Sequence, residues 1–262
     1  DPPNPTGWKY TFWDMDNVFN LGQNYTGVTT TTFMNDPCDP QSLFTGNPNI
    51  PHMDMVNALL DNPGFYDLYI NRYADLLNTT LNCDTMLSLF DAMIVDLAVE
   101  MPQQIARWGG TLTEWNNNVQ FLRDEISGRC AVIDSLLILC YQPNIGQKEP
   151  LVINVFPPGA GNVKVNTIYP NTYPWHGEYF TNVTVSFQAF ENTGYIFDHW
   201  ELLNHSPSPS TASDSIYFNL TTADSIVAVF QLTLSLSGTT IDDTCSLNKG
   251  SIALNVNGGA PP

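Results

Sequence analysis

The stretch Ile133-Asp-Ser-Leu-Leu-Ile-Leu-Cys140-Tyr-Gln-Pro143-Asn-Ile-Gly-Gln-Lys-Glu-Pro-Leu151-Val-Ile-Asn-Val155 divides the chain. Ahead of Pro143, apolar residues recur at intervals of three and four, the period of a helix with one buried face. Beyond it they alternate, the period of a half-buried strand. All four arginines fall on the helical side, between Arg72 and Arg129.

Upstream, Asp61 and Asn62 followed by Pro63 supply a helix cap and a first-turn proline. Phe65, Leu68, Tyr69, Arg72, Tyr73, Leu76 and Leu77 then follow the helical period. A second helix is expected to be capped by Asp84, with Leu87, Phe90, Met93, Ile94, Leu97, Ala98 and Met101 on one face until Pro102 disturbs the hydrogen-bond ladder. Thr111 or Thr113 opens a third, with Trp115, Val119, Leu122, Ile126, Cys130, Ile133, Leu137 and Cys140 as its stripe. Gly128 inside it suggests a bend or a close crossing. Short connections allow the three helices to pack as an antiparallel group.

Downstream, Val163 and Val165, then Val183, Val185, Phe187 and Ala189, alternate between Pro, Gly and Asn turns. Ser215 to Leu220 and Asp224 to Leu236 extend the strand pattern, and His205-Ser-Pro-Ser-Pro-Ser reads as an exposed loop. One further strand, Ser251 to Val256, follows and has no neighbour to cover its apolar face, so the tail reads as the opening of a longer module. The fold class expected is therefore multidomain: a mainly α part over residues 1–147, a small all-β domain over 148–236, and the start of another module over 237–262.

The chain has 262 residues, 43 % of them hydrophobic and 12 % aromatic, and that composition can build a core rather than stay disordered. Eight Lys and Arg against 26 Asp and Glu give a net charge of -18, which leaves no basic face for a nucleic acid partner. No apolar run approaches the roughly 20 residues of a membrane span. Cys38, Cys83, Cys130, Cys140 and Cys245 lie far apart without a CxxC pair, which argues for disulfides or buried thiols over zinc. A bridge between Cys38 and Cys83 would tie the segment Thr29 to Pro51 to the helices, whereas Cys130 and Cys140 lie too far apart along one straight helix to bond to each other. The acidic, Lys-poor, Asn- and Thr-rich balance fits an exported bacterial surface protein better than a cytosolic enzyme.

One compact polar cluster can carry chemistry. In Phe12-Trp13-Asp14-Met15-Asp16-Asn17-Val18-Phe19 a short apolar strand delivers two carboxylates one residue apart. Asp14 and Asp16 suit a hard cation such as Mg²⁺ or Ca²⁺. The same residues also suit a turn, since Asp and Asn side chains bond nearby backbone. An EF-hand is excluded, because the Gly and closing Glu are missing at the required offsets. His176, His199 and His205 lack the spaced carboxylate or Cys that would complete a metal site and read as sheet-surface histidines.

Trp13-Asp14-Met15-Asp16 with Phe19, Asn62-Pro63-Gly64-Phe65, Asn71-Arg72-Tyr73, Leu76-Leu77-Asn78, Glu100-Met101, Arg107-Trp108 and Trp115 occur in this order. Over residues 8 to about 142 this pattern resembles the C-terminal portion of the CotH kinase family, named for spore coat protein H. The resemblance implies an atypical protein-kinase-like fold, of which this would be the C-lobe-like part, and phosphotransfer with ATP and Mg²⁺. It implies that Asp14 is the metal-holding aspartate, with Asp16 beside it as the weaker carry-over. No catalytic residue and no nucleotide-binding residue is assigned within this chain. Lys9 is the only basic residue before Arg72, and no Gly-rich loop precedes it, so the nucleotide-gripping N-terminal part of the domain is expected to be missing and the chain by itself inactive. Gln103 and Gln104 stand where the family usually has a His, and Arg107 reads as a buried scaffold contact beside Trp108.

Gly159 to Val163, Pro174 to Gly177, the run Gly194-Tyr195-Ile-Phe197-Asp-His-Trp200 and Ser225 to Phe230 are similar to small β repeats of bacterial surface proteins. Cys245 to Pro262 resembles the start of a SprB-like adhesin repeat. Two functions follow as expectations: a secreted phosphotransferase acting on a protein substrate, or a non-catalytic structural or adhesion module with a cell-surface partner.

Overall fold

The computed structural model describes residues 51–233, 235–242 and 250–257. Asp14 and Asp16 lie outside the described residues, as does all but Pro51 of the stretch Thr29 to Pro51, which the sequence reads as an insertion loop; Pro51 itself begins a helix. Among the described residues five helices come first: α1 (Pro51–Leu60), α2 (Pro63–Leu77), α3 (Cys83–Ala98), α4 (Met101–Trp108) and α5 (Leu112–Tyr141). Nine strands follow: β1 (Lys148–Phe156), β2 (Gly161–Val165), β3 (Trp175–Phe180), β4 (Thr184–Glu191), β5 (Tyr195–Leu202), β6 (Ser215–Asn219), β7 (Asp224–Leu232), β8 (Ser235–Ile241) and β9 (Ser251–Asn257). A helical part followed by a β-rich part is what the change of period at Pro143 requires. The chain forms two compact units, and the division does not follow that boundary. The helical unit takes described residues 51–57 and Thr79–Tyr141, and the β unit takes Ala58–Asn78 with residues from 142 onward.

In the helical unit Asn82, not Asp84, caps α3: its side chain accepts from the backbone N–H groups of Asp84 and Thr85. Asp84 sits in the first turn, where a negative charge favours the helix dipole. Pro102 starts α4 instead of kinking α3. Thr111 opens α5 with a reciprocal cap, accepting from the Glu114 N–H and donating to the Glu114 carboxylate. The stripe read from the sequence is the covered side of α5, with Ile126 and Leu137 buried on it. Gly128 makes no close crossing, since a Cβ there would meet nothing within 4 Å. The stripe read for α3 is less well covered: Phe90 is buried, while Met93 and Leu97 are exposed.

Cys83 pairs with Cys130, which ties the start of α3 to the middle of α5 and replaces the expected bond of Cys83 to Cys38. Cys140 is disulfide-bonded as well. Two helical turns from Cys130 toward the start of α5, the Arg123 guanidinium grips both oxygens of Asp91 and lies over the Phe90 ring at 5.6 Å. That pairing holds the Asp91 carboxyl below its ordinary range, the hydrogen bond from Arg123 being the main cause.

The β unit is a two-layer sandwich. One sheet has the order β3-β1-β7-β5, with β1 and β7 parallel and the other neighbours antiparallel, and the second has the order β2-β4-β6, all antiparallel. Alternate residues point into the space between the sheets, among them Leu151, Ile153, Val185, Phe187, Ile226 and Phe230, all buried. Trp200 is fully buried on β5, 6.3 Å from the Phe187 ring, and its indole N–H donates to the Ser213 carbonyl. Gly161 marks a close approach of the layers: a Cβ there would lie 2.4 Å from the Phe230 ring.

Three readings of the β part need correction. The run from Asp224 to Leu236 is two strands, because β7 ends at Leu232 and β8 then leaves the sandwich. The final strand is not alone: β8 and β9 pair antiparallel as a separate two-stranded sheet. The Ser-Pro-Ser-Pro loop does carry ladder bonds, since Ser208 and Tyr217 exchange both backbone hydrogen bonds at 2.9 Å.

The Cys83–Cys130 bridge spans 47 residues, and in the chain-entropy model a loop of that length is worth about 4 kcal/mol. Replacing both cysteines with Ser is expected to lower the urea midpoint of the helical unit, followed by far-UV circular dichroism, and an unchanged midpoint would contradict it.

Candidate functional site

The helix α2 presents a polar row to the β unit. Asn62 caps it, accepting from the N–H groups of Gly64 and Phe65. The most covered side chains are Ile70, Asn71, Ala74 and Asp75, which is not the apolar stripe the spacing predicts, and Leu68 of that stripe is exposed. The reason lies in the partners. Asn71 donates to the Thr184 carbonyl at 2.7 Å, Arg72 donates to the Thr167 hydroxyl at 2.7 Å, and the small Ala74 lets the backbones approach. Asn78, at the C-cap, donates to the Glu178 carbonyl at 2.8 Å and accepts from the Glu178 N–H at 2.9 Å, so one amide pairs with the outer edge of β3 as a strand would.

Asp75 is the centre of this row. It is fully buried, and its carboxylate accepts from the Thr167 N–H at 2.9 Å, the Thr167 hydroxyl at 2.5 Å and the Tyr179 hydroxyl at 2.8 Å. Three donors replace the water that burial removes. Burial, and then the adjacent Asp75 charge, push the Tyr179 hydroxyl far above its ordinary value of 10.0.

A second buried acid organises the far loop of the β unit. One oxygen of Asp224 accepts from the N–H groups of Leu203, Asn204 and Ser225, and the other from His205 N–H and His205 Nδ1, at 2.7–3.0 Å. The Thr221 N–H donates to His205 Nε2 at 3.1 Å, so that nitrogen is an acceptor and the proton sits on Nδ1. His205 is therefore not a sheet-surface residue: its side chain is 7 % exposed and stacks on Phe218. His199 stays at the surface between Asp198 and Glu201.

The helical unit has an open cavity of about 580 Å³ where α4 turns into α5 through Gly109 and Gly110. Gln104, Glu114, Trp115 and Asn118 line it and no Lys or Arg does, so it offers no grip for phosphate. Arg107 lies over the Trp108 ring at 5.1 Å, but both residues are exposed, which corrects the buried scaffold contact expected of them. Among the described residues no cluster of His, Cys, Asp and Glu is placed to hold a metal ion, and no helix is long and apolar enough to cross a membrane. Asp14 and Asp16, the cation ligands expected from the sequence, lie outside the described residues.

Residues 4–133 match the family model described as CotH kinase protein. The match takes in the Asp14 and Asp16 pair, α1 to α4 and most of α5. It also takes in α2, so a helix of the CotH-matched segment packs as part of the β unit. No curated protein and no solved structure matches the chain.

The raised Tyr179 hydroxyl fixes a pH dependence. Its stabilising contribution is complete below pH 10 and is lost as the pH rises above that toward the folded-state value, with a limiting slope of about 1.4 kcal/mol per pH unit. Tyr179→Phe is expected to cost about 1–3 kcal/mol at pH 7, through the donor lost to Asp75, and to flatten the fall in stability above pH 10. Urea unfolding between pH 7 and 11.5 measures both, and an unaltered slope would refute the assignment.

Proposed function

We propose that this chain carries the later part of a CotH-like phosphotransferase domain of an exported bacterial surface protein, with the β unit as a module joined to it. The observation that carries this reading is the CotH kinase match, which contains the Trp-Asp motif at Asp14. In the kinase-like C-lobe this implies, Asp14 would hold Mg²⁺ and Asp16 would assist it. The ion supplies charge neutralisation between the phosphates of ATP, and the carboxylates bind and orient it. The acceptor is a protein hydroxyl, the substrate class of that chemistry. The β repeats, with the SprB-like start beyond them, serve as spacers that carry the domain away from the cell.

A second reading makes the chain a structural or adhesive module. It is favoured by the absence of a cationic grip for phosphate in the cavity of the helical unit, and by the proportion of the chain given to the β unit.

Isothermal titration of Mg-ATP into the full-length protein and into its Asp14→Asn variant separates the two. The phosphotransferase reading expects at least tenfold weaker binding in the variant. Equal affinity, or no binding in either, selects the module reading.

A further inference from the structure

The outer face of the β2-β4-β6 sheet is built in rows. The antiparallel registers place Lys164, Gln188 and Ser215 in one row across the three strands, and Ser186 beside Tyr217 in the next. Asn166, just past β2, completes that second row: its N–H donates to the Ser186 carbonyl and its side-chain oxygen accepts from the Ser186 N–H, both at 2.8 Å. Asn166 holds a left-handed backbone, φ 46°, to do so. Two grooves of about 290 and 320 Å³ run along these rows. Both are lined by Asn166, Ser186 and Tyr217, so they meet at the tyrosine; the first continues to Lys164 and the second to Asp67 of α2.

The Tyr217 ring is presented rather than packed. It is 51 % exposed, yet its backbone is fixed: it lies opposite Ser186 in the β4–β6 register, and its N–H and carbonyl both hydrogen-bond to Ser208. Among the described residues the Tyr217 hydroxyl and the Gln188 amide have no hydrogen-bond partner within the protein. A rigid aromatic face flanked by free amide and hydroxyl groups loses little entropy on binding and offers both a stacking surface and directional hydrogen bonds. The charge of the grooves is also distinctive. In a chain of net charge -18 they carry one cation, Lys164, and one carboxylate, Asp67, at opposite ends. An anionic ligand finds one positive partner in a negative field.

We propose that this face binds a neutral polysaccharide, with a sugar ring stacked on Tyr217 and its hydroxyl groups paired with Gln188, Ser186 and Ser215. A chain of linked sugars follows the continuous grooves past the tyrosine in both directions. The proposal uses neither Asp14 nor Asp16, so it stands or falls separately from phosphotransfer.

Affinity gel electrophoresis of the full chain through laminarin, xyloglucan, galactomannan, dextran and starch tests this, with alginate as the anionic comparison. Retardation by at least one neutral polymer is expected, weakened at least tenfold by Tyr217→Ala and by Gln188→Ala while the melting temperature of each variant is retained. Gln188 lies on the outer sheet face, so its variant keeps the test informative even where loss of the Tyr217 ring disturbs β6. The proposal is overturned by no retardation in any of the five, by retardation that both variants keep, or by retardation in alginate alone. Self-association of the chain abolished by Tyr217→Ala, seen by sedimentation, would equally overturn it by assigning the face to a second copy.

Discussion

A carboxylate buried without donors costs several kcal/mol, and Asp75 escapes that cost only because α2 is held where Thr167 and Tyr179 can reach it. The constraint is directional. A helix docked by apolar contact alone can rotate or slide by a residue at small cost, whereas one whose buried acid needs three donors has a single register. Asn71, Arg72 and Asn78 then fall opposite Thr184, Thr167 and Glu178, and the edge strand β3 is capped by an amide instead of being left open to another chain. The position of Asn166, and with it the outer face of the β2-β4-β6 sheet, follows, because Asn166 directly precedes Thr167.

This gives the CotH-like motif residues a structural meaning. Asn71-Arg72-Tyr73 and Leu76-Leu77-Asn78 lie in the matched segment, but their polar members are spent on the β unit. A helix of the CotH-matched segment is here the element that terminates a β sandwich. The helical unit relies on different devices: the Cys83–Cys130 bridge, the Arg123–Asp91 pair and the single buried stripe of α5.

The sequence discloses what is local. The α5 stripe was legible because one helix buries one face along its length, and the strands β2, β4 and β6 were legible from strict alternation. The Asn62 cap was legible because Pro63 follows it. Asp75 was not, because an acid within a helix reads as solvent-facing and its partners are 92 and 104 residues further along the chain. His205 was hidden for the same reason, its acceptor Asp224 being 19 residues away across a loop. The partner of β9 was missed because Leu232, Leu234 and Leu236 alternate with Thr233 and Ser235, so the strand pattern runs on across the break between β7 and β8. The candidate metal pair Asp14 and Asp16 was read from the sequence and lies outside the described residues.

The central claim is that α2 is part of the β unit through Asp75, although its sequence belongs to the CotH-matched segment. Hydrogen–deuterium exchange of the full chain and of its Asp75→Ala variant tests this most directly. In the unaltered chain the amides of residues 67–78 should be protected together with β1 and β7, and in the variant they should lose protection while α5 keeps its own. Protection of α2 that follows α3 and α5, or that survives loss of Asp75, would contradict the account.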